Sequence, residues 1–244
     1  MLPDQLQMKQ LLKLRRLFPS KPHSLRPFSS SSLSTPENVS LSPEEIAKIN
    51  LLMPRLCNSD RVRDAVRLAE AALMAASPPP KSLSISILVD RLSENPDMAD
   101  SMALLNRLKH NPRTHFSLLA VIHMLLSSYF GKKKPKEALK VFNWMLRPDS
   151  PSPPNPAVYG VLICGFCGNS MLFEGLKVLR QMISSNCALE MEVRMAVYRG
   201  LLREARIREA KELNEKLECI GDGVSDGAEK VLKLIDEIIS KWEV

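Results

Sequence analysis

The chain has 244 residues, a formal net charge of +7 and five cysteines, an odd number scattered without a dense framework. That excludes a disulfide-stapled secreted scaffold and fits a reducing compartment. The first glycine is Gly131, so the first half holds no glycine-rich phosphate loop and no dinucleotide fingerprint.

The positive charge is concentrated at the front. Residues 1–36 hold six bases (Lys9, Lys13, Arg15, Arg16, Lys21, Arg26) against Asp4 alone, leaving 28 bases against 26 acids in the remainder. Bulk charge is therefore weak evidence for a nucleic-acid partner. Residues 1–40 combine this basic, acid-poor composition with the run Phe28-Ser29-Ser30-Ser31-Ser32, as organellar transit peptides do. Leu11, Leu12, Leu14 and Leu17 alternate with Lys13, Arg15 and Arg16 to give a short amphipathic basic helix. Arg26-Pro27-Phe28-Ser29 resembles the end of a plant mitochondrial presequence, which places cleavage after Phe28 and the protein in the mitochondrion, with the chloroplast as alternative. No stretch reaches about 18 consecutive apolar residues, so no membrane partner is expected.

Folding is expected to begin at Ser42-Pro43-Glu44-Glu45, a capping box with proline in the first turn. From there the chain reads as helix and turn, with apolar spacings of three and four and no strand alternation. Five acidic-plus-small pairs recur: Asp64-Ala65, Asp100-Ser101, Glu137-Ala138, Glu174-Gly175 and Glu209-Ala210, with the small residues 36, 37, 37 and 35 apart. A period in the mid-thirties is that of stacked helical hairpins. Each unit reads as two helices, with the small residue marking the crossing and the acid in the first turn of the second helix.

The units run 46–80, 82–116, 119–155, 156–190 and 191–225, within a repeat region of 41–225. First helices carry Met53 and Leu56, Leu88 and Leu92, Leu125 and Tyr129, Leu162 and Phe166, and Val197 and Leu201 on one face. Second helices place Leu68, Leu104, Val141, Val178 and Leu213 three residues after the small one. Pro78-Pro79-Pro80 and Pro148, Pro151, Pro153 and Pro154 suit joints between units. Asn111-Pro112 and Asn155-Pro156 read as helix starts, the first lengthening the third unit's first helix by about two turns. After Gly221-Asp222-Gly223 the chain restarts at Asp226, and Val231, Leu234, Ile235, Ile238 and Trp242 form the stripe of a C-terminal capping helix over 226–244.

Val158-Tyr159-Gly160-Val161-Leu162-Ile163-Cys164-Gly165-Phe166-Cys167, followed by Glu174-Gly175-Leu176-Lys177-Val178-Leu179-Arg180-Gln181-Met182, resembles a pentatricopeptide repeat (PPR). Units three and five resemble degenerate copies, and the first two units do so more weakly. The whole is similar to a short P-class PPR protein of plant organelles. That resemblance implies an all-α, right-handed superhelical solenoid of helix-turn-helix repeats that binds single-stranded organellar RNA along a face lined by first helices, about one base per repeat. It implies no catalytic residue, cofactor, metal or small-molecule substrate, and a role in mitochondrial RNA processing, stability or translation.

Carried over by position, the RNA-facing residues are Asn50, Ser86, His123 and Gly160, with Met195 in the fifth unit and Glu190 closing the best unit. The phosphate-facing positions hold Asn58, Glu94, Gly131, Gly168 and Arg203, only one of them a base. This departs from the family's usual pattern. The alternative is a protein-interaction scaffold, such as a mitochondrial ribosome-associated component without base-specific readout.

Other features carry weaker functional readings. Cys164-x-x-Cys167 lacks two further metal ligands and a neighbouring strand, so it reads as packing. His110, His115 and His123 have no accompanying nucleophile. Lys132-Lys133-Lys134 with Lys136 reads as a solvated turn, with phosphate contact as the sharper alternative.

Overall fold

In a computed structural model, residues 41–75, 83–220 and 225–242 are described. The leader with its cleavage position, Pro78-Pro79-Pro80 and Gly221-Asp222-Gly223 lie outside them. The described residues form eleven α-helices: α1 (Pro43–Asn58), α2 (Val62–Ala75), α3 (Ile85–Glu94), α4 (Ala99–Lys109), α5 (His115–Gly131), α6 (Pro135–Met145), α7 (Pro156–Gly168), α8 (Leu172–Ser184), α9 (Met191–Arg203), α10 (Ile207–Ile220) and α11 (Ser225–Ser240). They pack as sequential pairs: α1 on α2, α3 on α4, and so on to α9 on α10.

Local chemistry explains the helix starts. Ser42 Oγ accepts from Glu45 N–H while Glu45 Oε2 accepts from Ser42 N–H, the expected reciprocal box. Asn155 Oδ1 accepts from Val158 N–H at 2.9 Å to open α7. Asn111 caps a 3-10 turn, Pro112–Thr114, that runs directly into α5, so the third unit's first helix is indeed the extended one. The run Pro112–Gly131, with mean hydropathy 1.2, is long and apolar enough to cross a bilayer by composition. Here it is a core helix packed between α3 and α7. The last helix begins at Ser225, one residue before the expected restart.

All five small residues are buried at the pair crossings. A side chain on Gly175 would meet Cys167 Sγ at 3.1 Å, and Ser101 takes a buried hydrogen bond from Tyr129 Oη at 2.8 Å. The acids of those pairs all sit in the first turn of a second helix, next to the positive end of the helix dipole.

First helices stack consecutively, α1–α3–α5–α7–α9. One interlock recurs along this layer. At three of the four junctions a residue near the end of one first helix presses into the next first helix, at a position two residues earlier in the repeat register; at the first junction that position is Arg91. Ser93 meets Ser128, with Oγ atoms 2.6 Å apart. Phe130 lies over Gly165, where an added Cβ would fall 2.3 Å from its ring. Cys167 faces Gly200, with Sγ 3.6 Å from such a Cβ, and Leu172 Cδ1 presses on the same glycine from the start of α8, 2.8 Å away. Knob and notch are complementary in size: the largest knob, Phe130, meets a residue with no side chain.

Turns inside the units follow the same register. Asp60, Lys133, Ser170 and Ala205 have φ between 56° and 59°, the left-handed conformation that closes a helix. The next residue's N–H then reaches back to the helix carbonyl: Arg61 to Leu56, Lys134 to Tyr129, Met171 to Phe166 and Arg206 to Leu201, each at 2.9 Å. In the second unit that register position is Pro96, whose ring holds φ near −65° and forbids this closure. The carbonyls of Ser93, Glu94 and Asn95 accept instead from Lys134 Nζ, at 2.7, 2.8 and 3.3 Å.

The second helices are joined by polar pairs. Arg107 meets Glu70 at 2.8 Å and Trp144 Nε1 donates to Asn106 Oδ1 at 2.9 Å. Helix α11 lies along α8 and α10, burying Val231, Leu234, Ile235 and Ile238. Arg180 pairs with Asp236, and Trp242 meets Phe173 edge-on and the Arg206 guanidinium at 3.7 Å.

Gly165→Ala is expected to destabilise by about 1–3 kcal/mol, because overpacking against Phe130 outweighs alanine's helix propensity. Gly168→Ala, with no neighbour within 4 Å of the added carbon, should instead be neutral or stabilising by about 0.5 kcal/mol. Urea denaturation of both variants measures the difference, and equal effects would contradict the interlock.

Candidate nucleic-acid interface

The first-helix face is where the sequence-selected residues fall, and the structure treats them unequally. Asn50 is half-buried, and its Oδ1 accepts from Ser84 N–H at 2.8 Å, tying α1 to the entry of α3. Ser86 is exposed and His123 half-exposed. These two share a shallow groove between α3 and α5, with Ile87, Asp90, Met124 and Ser127 around them. Gly160 lies beside Val193, and a Cβ there would find ordinary contact at 3.6 Å. Glu190 is exposed at the N-cap of α9, where its side chain makes no capping bond. Met195 is half-buried on the same helix.

Cations near this face are largely committed to the protein itself. Arg203, the single base at the phosphate-facing positions, donates to the carbonyl of Cys167 at 2.7 Å and to that of Arg199 at 3.3 Å. Lys132 bonds the Asp90 carboxylate at 2.6 Å, the Asp90 carbonyl and Ser93 Oγ. The hydrogen bond from Lys132 holds the Asp90 carboxyl below the ordinary carboxylate range. Lys134 caps α3. Of the lysine cluster, only Lys133 and Lys136 are exposed. The two central first helices, α5 and α7, contain no Lys, Arg, Asp or Glu at all. The middle of the face therefore carries no Lys, Arg, Asp or Glu, and around His123 its exposed and half-exposed residues include the small, apolar or hydroxylic Ala120, Met124, Ser127, Ala157, Val161 and Cys164.

The remaining candidates resolve as structural groups. Burial pushes the Cys167 thiol up to about 12, and Cys164 is raised by the same cause, so both stay protonated at neutral pH. Among the described residues no group of three His, Cys, Asp or Glu is arranged to hold a metal. His110 Nδ1 lies 2.5 Å from the Asn106 carbonyl and His115 Nε2 lies 2.8 Å from that of Lys109. Both rings are thus engaged with carbonyls at the end of α4.

Position-by-position reading of the sequence did not reveal the committed lysines or the knob-and-notch row. The second left a signal in the chain, since Ser128, Gly165 and Gly200 are small residues spaced by the unit period; the first left none.

Residues 157–187, covering nearly all of α7 and all of α8, match the model of the PPR repeat. No curated protein matches the chain. The fourth unit thus matches a PPR repeat and sits within an all-α array of helical pairs.

Lys134→Ala is expected to lower stability by about 1–3 kcal/mol, since it strands three helix-end carbonyls. Lys133→Ala and Lys136→Ala should each change it by no more than about 0.5 kcal/mol. Thermal melting compares the three. In native protein at pH 8, iodoacetamide should leave Cys167 unmodified and label it only after denaturation. Peptide mapping reads the site, and rapid native labelling of Cys167 would refute its packing role.

Proposed function

We propose that this protein is a non-catalytic binding array that holds single-stranded organellar RNA on its first-helix face. Its place would be in mitochondrial RNA processing, stability or translation. The PPR repeat at 157–187 carries this reading. The groove that brings Ser86 and His123 together supports it, because these are successive readout positions, one unit apart. With the nearby bases bonded internally, attraction to phosphate is weak and contact relies on apolar packing and hydrogen bonds to bases. The acid-poor, basic composition of residues 1–40 supports the organellar location.

A second reading rests on a specific observation, the uncharged centre formed by α5 and α7. Such a surface suits a protein, and the array would then be a scaffold such as a mitochondrial ribosome-associated component.

Crosslinking and RNA sequencing from purified mitochondria separates the two. A discrete transcript footprint is the expected result; comigration with ribosomal particles without a footprint favours the scaffold. For purified protein and the footprint RNA, log K against log salt should have a shallow slope of about −1 to −2, reporting two or three phosphate contacts. Ser86→Ala with His123→Ala should weaken binding about tenfold at unchanged melting temperature. Unchanged affinity would remove these positions from the readout.

A further inference from the structure

The groove between α3 and α5 that holds Ser86 and His123 has a volume of about 560 Å³ and contains a carboxylate with no counterpart in the other units. Asp90 lies on its wall, one turn beyond Ser86 on α3, and its side chain is 64% exposed. The same register position is Pro54, Ser127, Cys164 or Arg199 in the other units, so the packing of a unit does not call for an acid there. The carboxylate is nonetheless held in place. Lys132 Nζ bonds Oδ1 at 2.6 Å, and Ser128 Oγ donates to the same oxygen at 3.2 Å. The bond from Lys132 also keeps the group ionised at neutral pH. A carboxylate offers about four acceptor positions, so Oδ2 is left to accept from a ligand.

We propose that Asp90 selects guanine among the bases of single-stranded RNA at this groove, a specificity that rests on the RNA-binding reading of the first-helix face. Guanine's N1–H and N2 amino group point the same way and can share one acceptor oxygen, which Oδ2 provides. Adenine and cytosine set one amino group beside a ring nitrogen whose lone pair the carboxylate repels. Uracil sets one N–H between two carbonyl oxygens, with the same penalty. Ile87 and Met124 offer the ring apolar contact, and the Ser86 hydroxyl and His123 imidazole lie in the same groove for the rest of its polar edge. No lysine or arginine lines the groove among the described residues, so a phosphate meets only negative charge there and is turned outward. An arginine of a partner protein also carries paired N–H donors. Lys132 already balances the charge of Asp90, so a neutral donor pair fits, whereas a second cation is repelled by Lys132.

The test selects short random single-stranded RNAs on the purified full chain and sequences the retained pool. The expected result is guanine enriched about tenfold at one position, an enrichment that Asp90→Asn removes while preferences at other positions persist. A melting curve shows that the variant is folded. A second measurement needs no variant: replacing the selected guanosine by inosine, which lacks the N2 amino group, should weaken binding to the unmodified chain about fivefold. A pool without an enriched guanine, an enrichment that survives Asp90→Asn, or equal binding of the inosine RNA would overturn the role of Asp90 and leave the RNA-binding reading standing. Displacement of the RNA by equimolar 5′-GMP would overturn it in favour of a free nucleotide. Retention of no RNA would overturn both readings and leave the groove to a protein.

Discussion

The structure depends on the interlock between successive first helices. Each unit alone is a two-helix hairpin with one apolar face too many, and it becomes stable by laying that face on its neighbour. Close approach requires that one side yield volume. Ser128, Gly165 and Gly200 yield it, and Ser93, Phe130 and Cys167 with Leu172 occupy it. Glycine inside a helix ordinarily weakens it, so its presence at Gly165 and Gly200 is explained by packing gained across the unit boundary.

That dependence has consequences for charge. Stacking brings the carbonyl-bearing end of one first helix beneath the turn of the next, and carbonyls without intrahelical partners attract cations. Lys132, Lys134 and Arg203 answer that demand. Lys134 answers it most fully because Pro96 prevents the left-handed closure used at Asp60, Lys133, Ser170 and Ala205. A base engaged with backbone carbonyls is not free for phosphate. The same physics that holds the array together thus lowers its electrostatic attraction for a nucleic acid. Recognition is left to the groove around Ser86 and His123 and to the uncharged surface of α5 and α7.

Most of the architecture was legible in the chain itself. The acidic-plus-small pairs marked five crossings because a helix crossing is a local, periodic requirement, and all five small residues are buried where expected. Caps at Ser42, Asn111 and Asn155 were legible for the same reason: side chain and backbone partner lie within three residues. The candidate interface was legible only as a set of positions. That Ser86 and His123 share a groove, while Asn50 is tied to Ser84, depends on how α1, α3 and α5 stack.

The sequence by itself therefore determined the helices, the period and the register, because those follow from spacing along one chain. Tertiary structure decided which residues remain available to a partner. The lysine cluster looks the same in sequence whether it faces phosphate or caps a neighbouring helix, and only the position of α3's last carbonyls tells the two apart. Likewise Cys167 and Leu202 hold the same place in the register. One is buried and the other exposed solely because a further first helix lies over the former.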